Sequence, residues 1–144
     1  MIFISHRGNL KGRVPDMENH PNHIRNALTK GFEVEIDVWY HKDEFYLGHD
    51  EPQYKVDEKF LEKTEIWCHA KNIDALNRMV ENGKIHCFWH QEDDVTLTSR
   101  GYLWTYSGKQ LTSKSIAVLP KEKVSDKIAG ICSDYIGDYK NASA

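Results

Sequence analysis

Residues 32–40, Phe-Glu-Val-Glu-Ile-Asp-Val-Trp-Tyr, alternate apolar and acidic positions so regularly that an extended strand accounts for them and a helix does not. On a strand, Val34, Ile36 and Val38 share one face while Glu33, Glu35 and Asp37 share the other. The apolar face demands a packing partner. The acidic face is either a solvated surface or a set of carboxylates gathered at one site.

The segments around this strand repeat a strand-then-helix rhythm. Ile2 to Ser5 reads as a short buried strand that delivers His6-Arg7-Gly8 at its carboxyl end, where Gly8 permits a tight turn. His20-Pro21 predicts a helix start, with Ile24, Ala27 and Leu28 on one face and Gly31 as the stop. Lys42-Asp43-Glu44 predicts a turn into Phe45-Tyr46-Leu47, a hairpin that brings Gly48-His49-Asp50 back beside the acidic strand. A short helix is expected over 56–62, then a strand over 65–71 with His69 and Lys71 on one face. Asn72 is placed to cap a helix whose stripe would be Ile73, Leu76, Met79 and Val80, ending at Asn82-Gly83. Further strands are expected at 85–89, 102–106, 115–119 and 130–133, with a weak helix over 122–128.

Alternating strands and helices imply parallel units, because parallel neighbours need a crossover. Polar residues collecting at carboxyl strand ends match the site position of β/α barrels, but an eight-unit barrel usually takes about 200 residues or more. With 144 residues, the expectation is an α/β fold of truncated or helix-depleted TIM type. No repeat or linker divides the chain, so residues 1–139 read as one domain and 140–144 as a frayed tail. A shortened barrel would leave apolar edges, which makes a homodimer one expectation.

An apolar fraction of 40% and a net charge of -3 argue against disorder, a membrane span and a general nucleic-acid binder. Met1 to Ser5 is too short for the apolar region of an export signal. Cys68, Cys87 and Cys132 are odd in number and sit in strand-like stretches, as small core residues in a reducing, cytoplasmic setting would. His86-Cys87-Phe88-Trp89-His90 does not converge as a zinc site, since Cys87 points away from the two histidines; His90 is expected at a pocket mouth. Trp39, Trp89, Trp104 and Tyr106 read, for at least half of them, as core.

Taken singly, His-Arg-Gly is a turn, the alternating acids a solvated face, and Gly-His-Asp a loop closure. Taken in order, Ser5-His6-Arg7-Gly8, Glu18-Asn19, Glu35-Ile36-Asp37 and Gly48-His49-Asp50 resemble the glycerophosphodiester phosphodiesterase family, in a short form, within the PI-PLC-like superfamily. The likeness is strongest over residues 2–50. It returns at 129–135, where Ser133-Asp134-Tyr135 looks like the family's last strand end. The resemblance implies a β/α barrel of lipid metabolism, His6 and His49 as catalytic histidines, Arg7 and Lys71 as phosphate contacts, and Glu35 and Asp37 as metal carboxylates. Glu18 and Asp134 match supporting positions. Two departures matter: His20 replaces the family's Thr after Glu18-Asn19, and His69 replaces a metal-binding Glu.

Such residues suit a small phosphodiester. Attack on it builds charge on the non-bridging oxygens, which a metal ion, Arg7 and Lys71 would offset. Two histidines can exchange the protons near neutral pH. Oxygen ligands favour Mg2+ or Ca2+, and ligation by His69 would shift preference toward Mn2+ or Zn2+. Alternatives with the same residues are a lyase-type reaction giving a cyclic phosphate, and a phosphate-binding module without turnover.

Overall fold

In the computed structural model, which describes residues 1–143, the acidic segment forms β2 (Glu33–His41), and the sheet branches on it. One edge of β2 pairs in parallel with β5 (Ile66–Ala70), from Val34↔Ile66 to Val38↔Ala70. The other edge first takes β1 (Ile2–His6), as far as His6↔Glu35. Where β1 ends, β3 (Glu44–Leu47) takes over that edge antiparallel, at Val38↔Leu47. The hairpin turns on Lys42 and Asp43, with φ of 50° and 64°, the left-handed pair whose twist matches the flanking strands. β4 (Tyr54–Val56) extends the hairpin.

The sheet continues in parallel from β1 to β10 (Gly130–Ser133), β9 (Ser115–Val118) and β8 (Leu103–Thr105), and from β5 to β6 (Cys87–Trp89). β7 (Val95–Leu97) lies antiparallel on β8. The same segment reaches β6, because Thr96 Oγ1 donates to the Trp89 carbonyl at 2.7 Å and Ser99 N–H to the Cys87 carbonyl at 2.9 Å. The sheet is therefore curled, its two ends brought together across β7. No helix among the described residues is long and apolar enough to cross a membrane.

Helices cover mainly the β2 side. α1 (Pro21–Thr29) starts with Pro at its first position, and His20 Nδ1 accepts from Asn22 N–H at 3.0 Å. His20 thus supplies the N-cap acceptor that a hydroxyl or carboxylate usually gives. α2 (Glu58–Leu61) is one turn capped by Asp57, and α3 (Ile73–Glu81) is capped by Asn72. Val34, Ile36 and Val38 pack with Ile24 and Ala27 of α1 and Ala75 and Met79 of α3. The inner face gathers Ile4, Trp67, Phe88, Trp104, Ile116 and Cys132, one residue from each of six strands, into an apolar plug. All three cysteines are buried and unpaired.

Several expectations are corrected. The stripe on α3 is Ala75 and Met79 with Leu76 at its margin; Ile73 and Val80, seven apart, both face solvent. Residues 122–128 form no helix, and Val124 and Ile128 pack directly into the cluster with Phe32, Ala117 and Ile131. Residue 56 belongs to β4, which leaves α2 a single turn. Of the four aromatics, Trp104 is buried, Trp39 and Trp89 are partly covered, and Tyr106 is exposed. At the carboxyl end α4 spans Ile136–Ser143, and Lys140 Nζ sits 4.7 Å from the Phe32 ring centroid and 3.4 Å from the Gly31 carbonyl. Ala144 lies outside the described residues.

Candidate functional site

Register places the chemistry. His6 pairs with Glu35 across β1–β2, and Asp37 pairs with His69 across β2–β5. Paired residues on adjacent strands share a face, so these side chains project inward above the apolar plug. His69 stacks on Phe88, with ring centroids 5.3 Å apart and planes at 10°. The plug forms the floor, and the charged layer lies near the carboxyl ends of β1 and β5, with Glu35 and Asp37 in the first half and middle of β2.

Glu35 and Asp37 are almost wholly buried, at 2% and 0% exposure. Buried carboxylates of this kind require cations or donors. His69 Nδ1 lies 3.2 Å from Asp37 Oδ1 and 3.6 Å from Glu35 Oε2. Arg7 Nε lies 3.0 Å from Asp37 Oδ2, and Asn19 Nδ2 donates to the same oxygen at 2.9 Å. Asp37 N–H in turn donates to Asn19 Oδ1. Burial by itself would raise the Asp37 pKa; the close contact with His69, the Arg7 charge and Asn19 outweigh it and hold the carboxyl well below its usual range. Burial likewise would lower His69, but the two carboxylates raise it to about 9.

Even so, Glu35 Oε1, Asp37 Oδ1 and Arg7 Nε are buried with no well-aimed hydrogen-bond partner. The close approaches are therefore charge contacts without good donor geometry. Glu35, Asp37 and His69 each offer a ligand atom, all within 4.8 Å of one another. His69 Nε2 donates to the His90 carbonyl at 2.8 Å, which leaves Nδ1 as the atom turned toward the acids. Unpartnered carboxylate oxygens beside an oriented imidazole have the chemistry of a divalent-cation site, and Glu35, Asp37 and His69 are the residues that could hold one.

His6 is fixed from the far end of the chain. Its Nδ1 is 2.8 Å from Asp134 Oδ1, and Asn9 Nδ2 donates to that oxygen at 2.9 Å. Nε2 then faces inward, 3.9 Å from Glu35 Oε1. Burial opposes protonation of His6, but the Asp134 hydrogen bond and the Glu35 charge outweigh it, and the pKa is raised. Arg7 adopts φ of 60°, a strained value for a side chain of this size, and its Nη1 reaches Glu18 Oε1 at 3.1 Å. Glu18 also accepts from Arg13 Nε at 3.2 Å, so it anchors arginines and stands outside the carboxylate cluster.

A cleft of about 910 Å³ opens over this layer and is lined by His6, Arg7, Glu35, His49, His69 and Lys71, with His90 at its side. The sequence-derived candidates thus lie around one cleft, Glu18, Asp37 and Asp134 through their partners. His49 is at the rim, its side chain 46% exposed and its Nδ1 2.8 Å from Asp50 Oδ1. His86 is elsewhere, packed on Trp67 and bonded to Thr98 Oγ1 at 2.8 Å. Sequence reasoning missed the roles of Asn9 and Asn19. Asn19 stands in the Glu-Asn motif, but nothing local separates an asparagine that holds a carboxylate from one that only turns the chain, and its φ of 66° serves both. Comparison of the chain with protein-family models, curated proteins and solved structures finds no match.

Proposed function

We propose that the chain is a divalent-metal-dependent hydrolase of small phosphodiesters, resembling glycerophosphodiester phosphodiesterases on a shortened, helix-depleted β/α barrel. The observation that carries this reading is the pair of buried oxygens without a hydrogen-bond partner, Asp37 Oδ1 beside His69 and Glu35 Oε1 beside His6, under a cleft that is also lined by Arg7. A bound divalent ion would supply charge stabilisation for the phosphoryl oxygens.

The chain's own residues have definite tasks. His6, its Nδ1 held by Asp134, presents Nε2 to the cleft 3.9 Å from Glu35 Oε1 and acts as a proton carrier. Arg7, anchored by Glu18 and Asp37, and Lys71, whose backbone N–H is fixed on the Val38 carbonyl at 2.8 Å and whose side chain lines the cleft, bring positive charge to the phosphate. His49, more exposed and held by Asp50, serves the substituent that enters or leaves from the rim.

Hydrolysis of bis(p-nitrophenyl) phosphate, screened with Mg2+, Ca2+, Mn2+ and Zn2+, tests the proposal. Turnover should require a divalent ion and fall at least 100-fold in His6→Ala. Metal-independent turnover, or none above the His6→Ala and His49→Ala controls, sinks it. One observation favours a second reading, a phosphate-binding module without turnover: the His69 imidazolium can itself neutralise the acid pair. That case would show thermal stabilisation by phosphate, equal with and without metal, and no hydrolysis.

A further inference from the structure

The cleft's remaining wall comes from two loops, 106–111 after β8 and 119–125 after β9. The loops are tied together, since Lys121 N–H donates to Ser107 Oγ at 3.3 Å. Residues 106–128 contain five lysines against two acids, in a chain whose net charge is -3. Lys109, Lys121 and Lys123 all line the cleft, with Glu122 as the acid among them. Lys109 Nζ is 3.6 Å from Asp94 Oδ1, so its charge is already answered. Lys121 and Lys123 have no ion-pair partner among the described residues.

A phosphodiester carries one negative charge, which Arg7, Lys71 and a metal ion can match. Two more unanswered ammonium groups on the wall exceed what a neutral substituent such as glycerol would use, because ammonium groups are selective for anions rather than hydroxyls. We propose that the preferred substrate is a phosphodiester whose alcohol substituent bears a second anionic group, a phosphomonoester or a carboxylate, seated against Lys121 and Lys123. This rests on the hydrolase reading above and adds a substrate class to it.

Three diesters that differ only in the substituent test the idea: ethyl, 2-carboxyethyl and 2-(phosphonooxy)ethyl 4-nitrophenyl phosphate. The ratio of kcat/KM for the better charged diester to that for the ethyl diester should be about tenfold, from two exposed charge contacts. It should shrink as salt rises. The Lys121→Ala/Lys123→Ala double variant should bring the ratio near one. The two charged arms identify which anion is read. A wild-type ratio near one, or a ratio that survives the double variant, overturns the proposal.

If no diester turns over, the hydrolase reading fails while the anion subsite is still decided by binding. Calorimetry in EDTA would compare ethane-1,2-diol bisphosphate with ethyl phosphate. About tenfold tighter binding of the bisphosphate, lost in the double variant, supports the subsite; equal affinities overturn it.

Discussion

Two imidazoles on the inner side of the sheet, one part-buried and one buried, are driven in opposite directions. His69 lies between Glu35 and Asp37 and is raised to about 9, while His86, packed against Trp67 and Tyr102, is lowered to about 4, mainly by burial and secondarily by Arg100. Burial lowers both; neighbours decide the outcome. The plug region excludes charge, and the layer above it concentrates charge. The contrast marks where the fold sets a layer of paired charges over an uncharged floor.

The largest way to break this contrast is to remove Asp37. Asp37→Ala leaves Arg7 and His69 without their shared buried counter-charge, and unfolding by urea should show a loss of about 3–5 kcal/mol. A loss below about 1 kcal/mol would mean that Asp37 does not organise the layer.

Stability measured against pH separates the two histidines. The folded pKa of His86 lies below its usual 6.5. Between pH 6.5 and 4 the unfolded chain therefore binds the extra proton, and stability falls as pH falls through that window, by about 3 kcal/mol at most. His86→Phe should flatten that acid limb. His69 has the opposite sign: its contribution is full below pH 6.5 and is lost as pH rises toward about 9. His69→Leu in EDTA should remove that alkaline limb while leaving the acid one. If both limbs survive both substitutions, the assignment of opposite charge states is wrong.

Asn19→Ala gives the smallest effect. It removes the side-chain donor to Asp37 Oδ2 and the acceptor for Asp37 N–H, but Arg7 remains beside Oδ2. A loss of about 1–2 kcal/mol is expected, with the alkaline limb of His69 preserved. A shift of that limb would show that Asn19 sets the charge of the layer as well as its geometry.

Much of this layout was legible from residue order. Alternation in 32–40 puts Glu35 and Asp37 on one face, and both point inward. The helix starts at His20-Pro21 and Asn72 and the turn at Lys42-Asp43 were also readable, since caps and turns are local chemistry. Less was legible where context overrides pattern. The apolar residues of β7, Val95 and Leu97, point to solvent, and α4 has no strong apolar stripe, so neither element announced itself. Residues 122–128 had helix-like spacing, but their apolar side chains are used by the third core cluster in an irregular chain.

Sequence alone determined the face on which each strand carries its polar groups and the ends at which those groups collect, because strand alternation and turn chemistry act over a few residues. Only the tertiary structure decided which of these groups meet. The Asp37–His69 register, the reach of Asp134 across the chain to His6, the stacking of His69 on Phe88 and the lysine wall of the cleft all depend on strand pairing between distant segments. The charge on His69 follows from that pairing, since an imidazole becomes a cation or a neutral core group according to what the fold brings beside it.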